Sequence, residues 1–153
     1  IIGTEIGAKA APDGYTMLFV DSTLAILPNL YASLPYDTQR DFAPVGSLTR
    51  IPFMLVLHPS IAANTLQELI AHAKTKPGLL SYASSGSGSS PHLSGELFKH
   101  MTNTDILHVP YKGGGPASVD LIAGQVQMMI NAVTDIAPAA RAAPGSGSPW
   151  RRA

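Results

Sequence analysis

The spacing of apolar residues changes along the chain from a strand-like to a helical pattern and back, several times. Short apolar runs typical of strands occupy residues 15–20, 51–58, 79–83, 105–109 and 126–130. Helical spacing covers residues 2–11, 24–32, 66–76, 91–101, 116–123 and 134–142. From residue 51 onward the two patterns alternate, which predicts an α/β fold with a parallel sheet and right-handed crossovers.

Local signals define several of these boundaries. Thr65 followed by Glu68 has the spacing of a capping box at the start of a helix. Pro91 suits the first turn of the next helix, where its missing N–H costs nothing. Residues 51–58 (IPFMLVLH) are apolar and precede a second proline, so we expect a buried strand there.

Composition and charge narrow the class of protein. Of the 153 residues, 45% are hydrophobic and 13% charged, as in a folded globular protein and unlike a disordered one. The 10 basic and 10 acidic residues cancel, so the chain lacks the basic surplus typical of nucleic-acid binding. No apolar run approaches the roughly 20 residues that cross a bilayer, so we expect no direct membrane insertion. Cysteine is absent, which excludes disulfides and thiolate chemistry.

The segment at residues 81–98 (SYASSGSGSSPHLSGELF) carries the clearest functional signal. A predicted strand runs into a stretch of serine and glycine residues and then directly into a helix. Small residues let a ligand approach the backbone, and the first N–H groups of the helix point outward with the positive end of its dipole. These features predict a site for a carboxylate or phosphate, with a flexible surface loop as the alternative.

A second loop, at residues 109–121 (VPYKGGGPASVDL), repeats the arrangement of strand, glycines and helix. Loops at the carboxyl ends of neighbouring parallel strands converge on one crevice. Lys112 either supplies charge to that crevice or lies on the surface, and Tyr111 either packs against the ligand or supports the loop. Residues 21–23 (Asp-Ser-Thr) form a third loop of the same chemistry nearer the N-terminus.

Motifs for other chemistries are incomplete. Pro91 stands where a dinucleotide fingerprint needs its third glycine, and neither glycine loop contains the Gly-Lys-Ser/Thr of a P-loop. Ser87 with His92 is a loose nucleophile–base pair, which leaves a small α/β hydrolase or transferase for acyl or phosphorylated substrates as a rival function. His92, Glu96 and His100 share a helical face but form no known metal motif, so we expect no metal and no cofactor. His92 is better explained as a residue that fixes the loop or donates to the ligand.

Four segments occur in a characteristic order: APDGYTMLFVDST, LPYDTQRDFAPVG, LLSYASSGSGSSPHLSGELFK and ILHVPYKGGGPA. With the turn at Gly124, Gln125 and Val126, they resemble the Bug-type (TctC) extracytoplasmic receptors of tripartite tricarboxylate transporters over residues 2–140. The resemblance implies a periplasmic-binding-protein type II-like fold, a parallel-rich sheet flanked by helices, two hinged domains and no enzymatic activity. It also implies a periplasmic location, a small carboxylate ligand (a di- or tricarboxylate or an acidic amino acid), and a membrane permease as partner.

The resemblance further implies ligand-binding residues in both domains. The first domain would contribute Ser22 and Thr23. The second would contribute Ser84, Ser85, Gly86, Ser87, Gly88, Ser89, Ser90, His92, Tyr111, Lys112, Gly113 and Gly114. Asn131 follows a strand at a position where the family often has an acidic residue. If that position meets a ligand amine, asparagine disfavours a cationic group and shifts the expected ligand toward a plain carboxylate.

The same resemblance predicts the domain organisation. Residues 1–48 represent part of a first domain and residues 49–140 a nearly complete second one, with hinges near residues 47–52 and 130–133. No signal peptide is recognisable at Ile1, and we expect a strand and a glycine- and proline-rich ligand loop to precede it. Residues 141–153 break the pattern, so we expect a disordered tail foreign to the family. A chain truncated at both ends would expose apolar surface, and a non-functional fragment is therefore a third alternative.

Overall fold

The chain folds into two compact units, Ile1–Thr49 and Arg50–Ala153. The structure, a computed structural model, describes residues 2–142, with burial of side chains described as far as residue 137. Nearly all of the predicted disordered tail, residues 143–153, lies outside the described residues.

The first unit holds two helices, α1 (Ile2–Ala8) and α2 (Thr23–Leu30), connected by irregular chain. The prediction of a strand over residues 15–20 is wrong, because no strand forms in the described part of this unit. The large apolar side chains of this run are largely exposed. A β-rich run becomes a strand only when a neighbour supplies hydrogen-bond partners and a face to pack on, and this unit supplies neither.

The second unit alternates strands and helices, which confirms the predicted α/β fold. Its described elements are β1 (Phe53–Leu57), α3 (Leu66–Thr75), β2 (Ser81–Ser84), α4 (Ser90–Thr102), β3 (Leu107–Pro110), α5 (Gly114–Ile122), β4 (Met128–Ala132) and α6 (Val133–Ala142). No described helix has the length and apolar content required to cross a membrane.

The strands form one sheet in the order β1-β4-β2-β3. β2 pairs in parallel with β3 and β4, whereas β1 pairs antiparallel with β4. The prediction of a parallel sheet is therefore correct for three strands and wrong for β1. The crossover rule applies to strands that run parallel within one sheet. β1 pairs with β4, the last of the described strands along the chain, and runs antiparallel to it. The crossover rule therefore does not determine the direction of β1.

β1 also differs from prediction in its burial. Only Val56 is buried in β1, while Phe53 and Met54 are 41% and 42% exposed. The strand lies at an edge of the sheet and has one strand neighbour, so its apolar run does not indicate burial on both faces.

The core lies on both faces of the sheet, because successive side chains of a strand point to opposite faces. On one face, Ala83 and Met129 pack against Leu121 of α5 and Ile136 of α6. On the other face, the sheet packs against α3 and α4, through Leu69, Ala73, Leu80, Tyr82, Ile106, Met128 and Ile130. Helices thus cover both faces, and the carboxyl ends of the parallel strands β2, β3 and β4 lie at one edge of the sheet.

Candidate functional site

Two predicted ligand loops meet at the carboxyl ends of the parallel strands. The backbone N–H of Tyr111 donates to Ser84 O at 3.0 Å, and that of Gly113 donates to Ser85 O at 3.2 Å. A Cβ on Gly86 would lie 3.3 Å from Tyr111 O, so the backbones approach closely here. The structure therefore confirms that the loop after β2 and the loop after β3 converge.

The serine and glycine loop between β2 and α4 is closed by its own polar groups. Ser89 Oγ donates to Gly86 O at 2.6 Å and accepts from His92 N at 3.4 Å, so Ser89 caps α4 while it holds the loop. Ser84 is fully buried, and its Oγ accepts from Gly86 N at 3.2 Å. Gly86 and Gly88 have positive φ values of 131° and 80°, which L side chains rarely adopt.

His92 fixes this loop. Its Nδ1 accepts a hydrogen bond from Gly88 N at 3.0 Å, which requires Nδ1 to be unprotonated. The His92 ring stacks on His108 with centroids 4.1 Å apart, and His108 stacks in turn on Tyr82 at 4.9 Å. Of the two roles predicted for His92, the structure shows the one that fixes the loop.

The rings of His92, His108 and Tyr82 thus form a ring stack beside the loop, and hydrogen bonds anchor it. His108 Nε2 lies 2.7 Å from Ser84 Oγ, and the Tyr82 hydroxyl donates to Glu96 Oε1 at 2.8 Å. Lys99 Nζ pairs with the same Glu96 carboxylate at 2.9 Å. The stack thus links β2, β3 and α4 directly under the backbone that a ligand would approach.

Burial and neighbouring groups shift the pKa values of His108, Tyr82 and Glu96. Burial lowers the pKa of His108, and the neighbouring His92 lowers that pKa further. Burial, followed by the hydrogen bond to Glu96, raises the pKa of Tyr82. Burial alone would raise the pKa of Glu96, but hydrogen bonds from Lys99 and Tyr82 outweigh that effect and lower it. The loops above the stack carry backbone N–H groups and hydroxyls, which can donate to an anion.

The first turn of α5 offers such donors. Gly113 stands at the N-cap with a φ of 108°, and no side chain caps the helix. Among the described hydrogen bonds, none engages the N–H of Gly114 or Gly115, or the hydroxyls of Ser85 and Ser87. These groups are the ones that an anion at this edge of the sheet can recruit.

Asn131 lies at the end of β4 beside the same turn. It is only 3% exposed, and its Oδ1 accepts from Ala132 N at 2.8 Å. Its Nδ2 has no hydrogen-bond partner among the described residues. A Cβ on Gly114 would lie 3.1 Å from this Nδ2, so the amide faces the start of α5.

Tyr111 and Lys112 occupy different environments. The Tyr111 hydroxyl donates to Asp120 Oδ2 at 2.7 Å, and burial together with this carboxylate raises the pKa of Tyr111 to about 12. The side chain packs against the core on the α5 side of the sheet, so it supports the loop. Lys112 is exposed.

Ser22 and Thr23 belong to the first unit, at the start of α2. Ser22 has helical backbone angles, and its side chain makes no capping hydrogen bond. Thr23 N donates to Asp21 Oδ1 at 3.0 Å, so Asp21 stabilises this turn. A role of these two residues in binding stays a prediction.

The rival enzymatic arrangement is not assembled. Ser87 is exposed, and none of the described hydrogen bonds joins it to His92, whose Nδ1 is taken by Gly88 N–H. The described residues also include no group of three or more His, Asp or Glu side chains that could hold a metal ion.

Sequence reasoning missed the residues that support the loops from below: Tyr82, Glu96, His108 and Asp120. Tyr82 and Glu96 lie 14 positions apart and meet only because α4 packs on β2. The spacing of Tyr111 and Asp120, nine positions apart, gave no signal either, since a strand-to-helix loop separates them.

The sequence of this chain matches that of a known protein family. The sequence profile described as "Tripartite tricarboxylate transporter family receptor" matches residues 1–144. The chain belongs to the tripartite tricarboxylate transporter receptor family. This membership confirms the resemblance to Bug-type receptors. Because the family comprises binding proteins and not enzymes, it also confirms the prediction that the chain is not an enzyme.

Two relatives illustrate the sequence similarity. A protein from Pseudomonas sp. (strain P51), named "UPF0065 protein in tcbD-tcbE intergenic region", is 41% identical over 134 residues, which is 88% of this chain and 40% of that protein. BugT from Bordetella pertussis is 42% identical over 128 residues, which is 82% of this chain and 39% of BugT. The chain thus spans about two fifths of the length of these relatives.

Three solved structures share the fold. A periplasmic transporter is 38% identical with a TM-score of 0.82, and the match covers 92% of this chain and 48% of that one. Rpa4515 of R. palustris with adipate is 35% identical with a TM-score of 0.76, covering 90% and 46%. MatC (Rpa3494) from Rhodopseudomonas palustris with bound malate is 30% identical with a TM-score of 0.74, covering 92% and 48%. These likenesses confirm the periplasmic-binding-protein type of fold.

Proposed function

We propose that this chain is part of a periplasmic receptor that captures a small carboxylate and delivers it to the permease of a tripartite tricarboxylate transporter. The main support is the pair of converging loops after β2 and β3, which lead into α4 and α5. Family membership supports the receptor role, and two structural relatives carry adipate and malate. The ligand class proposed is therefore a di- or tricarboxylate or an acidic amino acid.

The proposed mechanism uses backbone N–H groups and hydroxyls in place of a cationic side chain. The uncapped N–H groups of Gly114 and Gly115 point along the axis of α5, where the positive end of the helix dipole favours a carboxylate. The hydroxyls of Ser85 and Ser87 add donors from the neighbouring loop. The ring stack below keeps that loop in one conformation, which lowers the ordering cost of binding.

Isothermal titration calorimetry of the chain with citrate, malate, succinate, aspartate, glutamate, nicotinate and phosphate tests this proposal. We expect saturable binding of at least one carboxylate. If the chain shows a cooperative thermal transition but binds none of these compounds, the proposed capture is wrong.

A negative charge introduced at Gly115 tests whether the carboxylate binds beside the first turn of α5. A Cβ there meets nothing within 4 Å, so both Gly115→Asp and Gly115→Asn fit sterically. We expect the Asp variant to bind the best ligand at least about tenfold more weakly than the Asn variant, because only Asp adds a like charge beside the carboxylate. Equal affinities of the two variants would place the carboxylate elsewhere.

A further inference from the structure

The serine and glycine loop between β2 and α4 is bonded to two stacked imidazoles. His92 Nδ1 accepts from the backbone N–H of Gly88 at 3.0 Å. His108 Nε2 lies 2.7 Å from Ser84 Oγ, which accepts in turn from Gly86 N at 3.2 Å. The two ring centroids are 4.1 Å apart, so histidines from two different elements hold the loop as a pair.

The bond from Gly88 depends on the protonation state of His92. An imidazole nitrogen accepts a hydrogen bond only while it carries no proton. A proton on Nδ1 would set two donors against each other, and the bond would be lost. Gly88 has a φ of 80°, and glycine changes conformation at little steric cost. Protonation therefore frees the backbone beside Ser87, whose hydroxyl is one of the donors proposed above for the ligand.

The second histidine of the pair does not respond in this way. Burial lowers the pKa of His108, and the neighbouring His92 lowers it further, so His108 resists a proton. Its Nε2 also faces the Ser84 hydroxyl equally well with or without a proton, because a hydroxyl both donates and accepts. The contact between His92 and Gly88 is thus the proton-sensitive one of the two.

The other titratable groups around the pair lie on each element that packs against it. On α4, burial raises the pKa of Glu96, but hydrogen bonds from Lys99 and Tyr82 outweigh that effect and lower it. On β2, burial and then the bond to Glu96 raise the pKa of Tyr82. β4, which also contacts α4, has no titratable side chain, and the loop after β3 carries Tyr111 and the exposed Lys112. Since histidine ordinarily titrates near pH 6.5, mild acid acts on the ring pair first.

We propose that His92 is a proton-sensitive positioning residue for the ligand loop. In mild acid its Nδ1 takes up a proton, the bond from Gly88 breaks, and the loop leaves the conformation that binds a carboxylate. Because the binding conformation carries one proton fewer, ligand binding releases a proton, and affinity falls as the pH falls. The effect on affinity rests on the proposed carboxylate capture, whereas the release of the loop does not.

Nuclear magnetic resonance of the full chain without ligand tests the release of the loop. Between about pH 7.5 and 5.5, we expect the Nδ1 resonance of His92 to change from the unprotonated to the protonated type. The amide proton of Gly88 should shift with the same midpoint. A Gly88 resonance that does not follow His92 in the unmodified chain would overturn the proposal without the use of any variant.

A matched pair of substitutions assigns the titration to His92. His92→Asn places an acceptor oxygen the same number of bonds from the backbone as Nδ1 but does not titrate, so its Gly88 amide should keep one resonance position. His100→Asn, at an exposed position on the same helix, should titrate as the unmodified chain does. A Gly88 amide that still titrates in His92→Asn would contradict the assignment. Thermal melting at both pH values verifies that each variant is folded.

Calorimetry with malate tests the effect on affinity. From about pH 7.5 to 5.5, we expect the unmodified chain to lose about fivefold more affinity than His92→Asn, as for one hydrogen bond. Titration of malate itself affects both proteins and cancels in this ratio. Buffers of different ionisation enthalpy count the protons, and the unmodified chain should release more protons per malate than His92→Asn.

The outcomes separate this proposal from the function on which its second part rests. Equal losses of affinity in the two proteins, or proton uptake on binding, would overturn the control of capture by His92. Failure of the folded chain to bind malate at either pH would count against the proposed capture, and the Gly88 titration alone would then decide whether the loop is released.

Discussion

Gly95 determines how closely α4 packs on the sheet. A Cβ at this position would lie 2.5 Å from Tyr82 Cζ, far inside normal contact distance. The Tyr82 ring cannot move aside, because it is fully buried, stacked on His108 and hydrogen-bonded to Glu96. The absence of one side chain on α4 thus makes room for the ring stack that supports the ligand loop.

Gly95→Ala is therefore expected to destabilise the protein. Alanine normally stabilises a helix relative to glycine by roughly 0.5–1 kcal/mol. Here the clash should reverse the sign and lower the free energy of unfolding by about 1–3 kcal/mol. Urea denaturation followed by circular dichroism measures the difference.

Gly115→Ala is the matched control for this measurement. Gly115 is also a helical glycine, but its Cβ would meet no atom within 4 Å. We expect it to be neutral or stabilising by up to about 1 kcal/mol in the absence of ligand. If Gly95→Ala behaves in the same way as the control, then the Tyr82 ring is not held as the structure shows.

At the scale of elements, α3 shows why some features follow directly from sequence. Thr65 Oγ1 accepts from Glu68 N at 3.2 Å, and Glu68 Oε2 accepts from Asn64 N at 2.6 Å. The capping box predicted from Thr65 and Glu68 is confirmed, although the glutamate reaches the residue before the cap. All these groups lie within four positions, so their contacts depend little on the rest of the fold.

Removing this cap gives a prediction for the element. Thr65→Ala should lower the free energy of unfolding by about 1 kcal/mol, because the N–H of Glu68 loses its acceptor. Thr65→Ser retains the hydroxyl and should stay close to the unmodified chain. Chemical denaturation of the three proteins measures this, and equal stability of the Ala and Ser variants would contradict it.

β1 is the element whose direction and burial the sequence did not predict. Phe53 pairs with Ala132 and Leu57 with Met128, so the partner strand lies more than 70 positions further along the chain. An apolar run indicates that a strand has a buried face but not which strand pairs with it. The direction of β1 and its position at the edge therefore depend on the order of the strands in the assembled sheet.

At the scale of the whole molecule, the segments predicted as hinges lie next to each other. Val133 N donates to Pro52 O at 3.1 Å, directly beyond the pairing of Phe53 with Ala132. The chain thus enters the second unit beside the point where β4 ends. Whether residues 47–52 and 130–133 act as hinges stays a prediction, as do the boundaries at residues 48 and 140.

The ring stack connects the elements of the second unit and gives it a pH dependence. Its charged neighbours on α4 are Glu96 and Lys99, and its two imidazoles are stacked. The pKa of His108 is lowered in the folded state, by burial and then by His92, so the unfolded chain binds a proton more readily. Stability should therefore be complete above the unfolded pKa of about 6.5 and decline as the pH falls below it.

His108→Gln tests this pH dependence. Glutamine does not titrate, so the fall in stability between pH 7 and 5.5, at most about 1.4 kcal/mol per pH unit for one proton, should become shallower. His100→Gln, at an exposed position on α4, should retain the slope of the unmodified chain. Urea denaturation at several pH values measures the slopes, and an unchanged slope in His108→Gln would refute the assignment.

The sequence by itself determined the features that depend on near neighbours: the alternating elements, the cap at Thr65, and the glycine loops before α4 and α5. Their hydrogen bonds and backbone preferences arise within a few residues. The tertiary structure alone decided the antiparallel edge of β1, the exposed course of residues 15–20, and the stacking of His92 on His108. These features depend on which distant segments become neighbours, and the spacing of residues along one chain does not encode that arrangement directly.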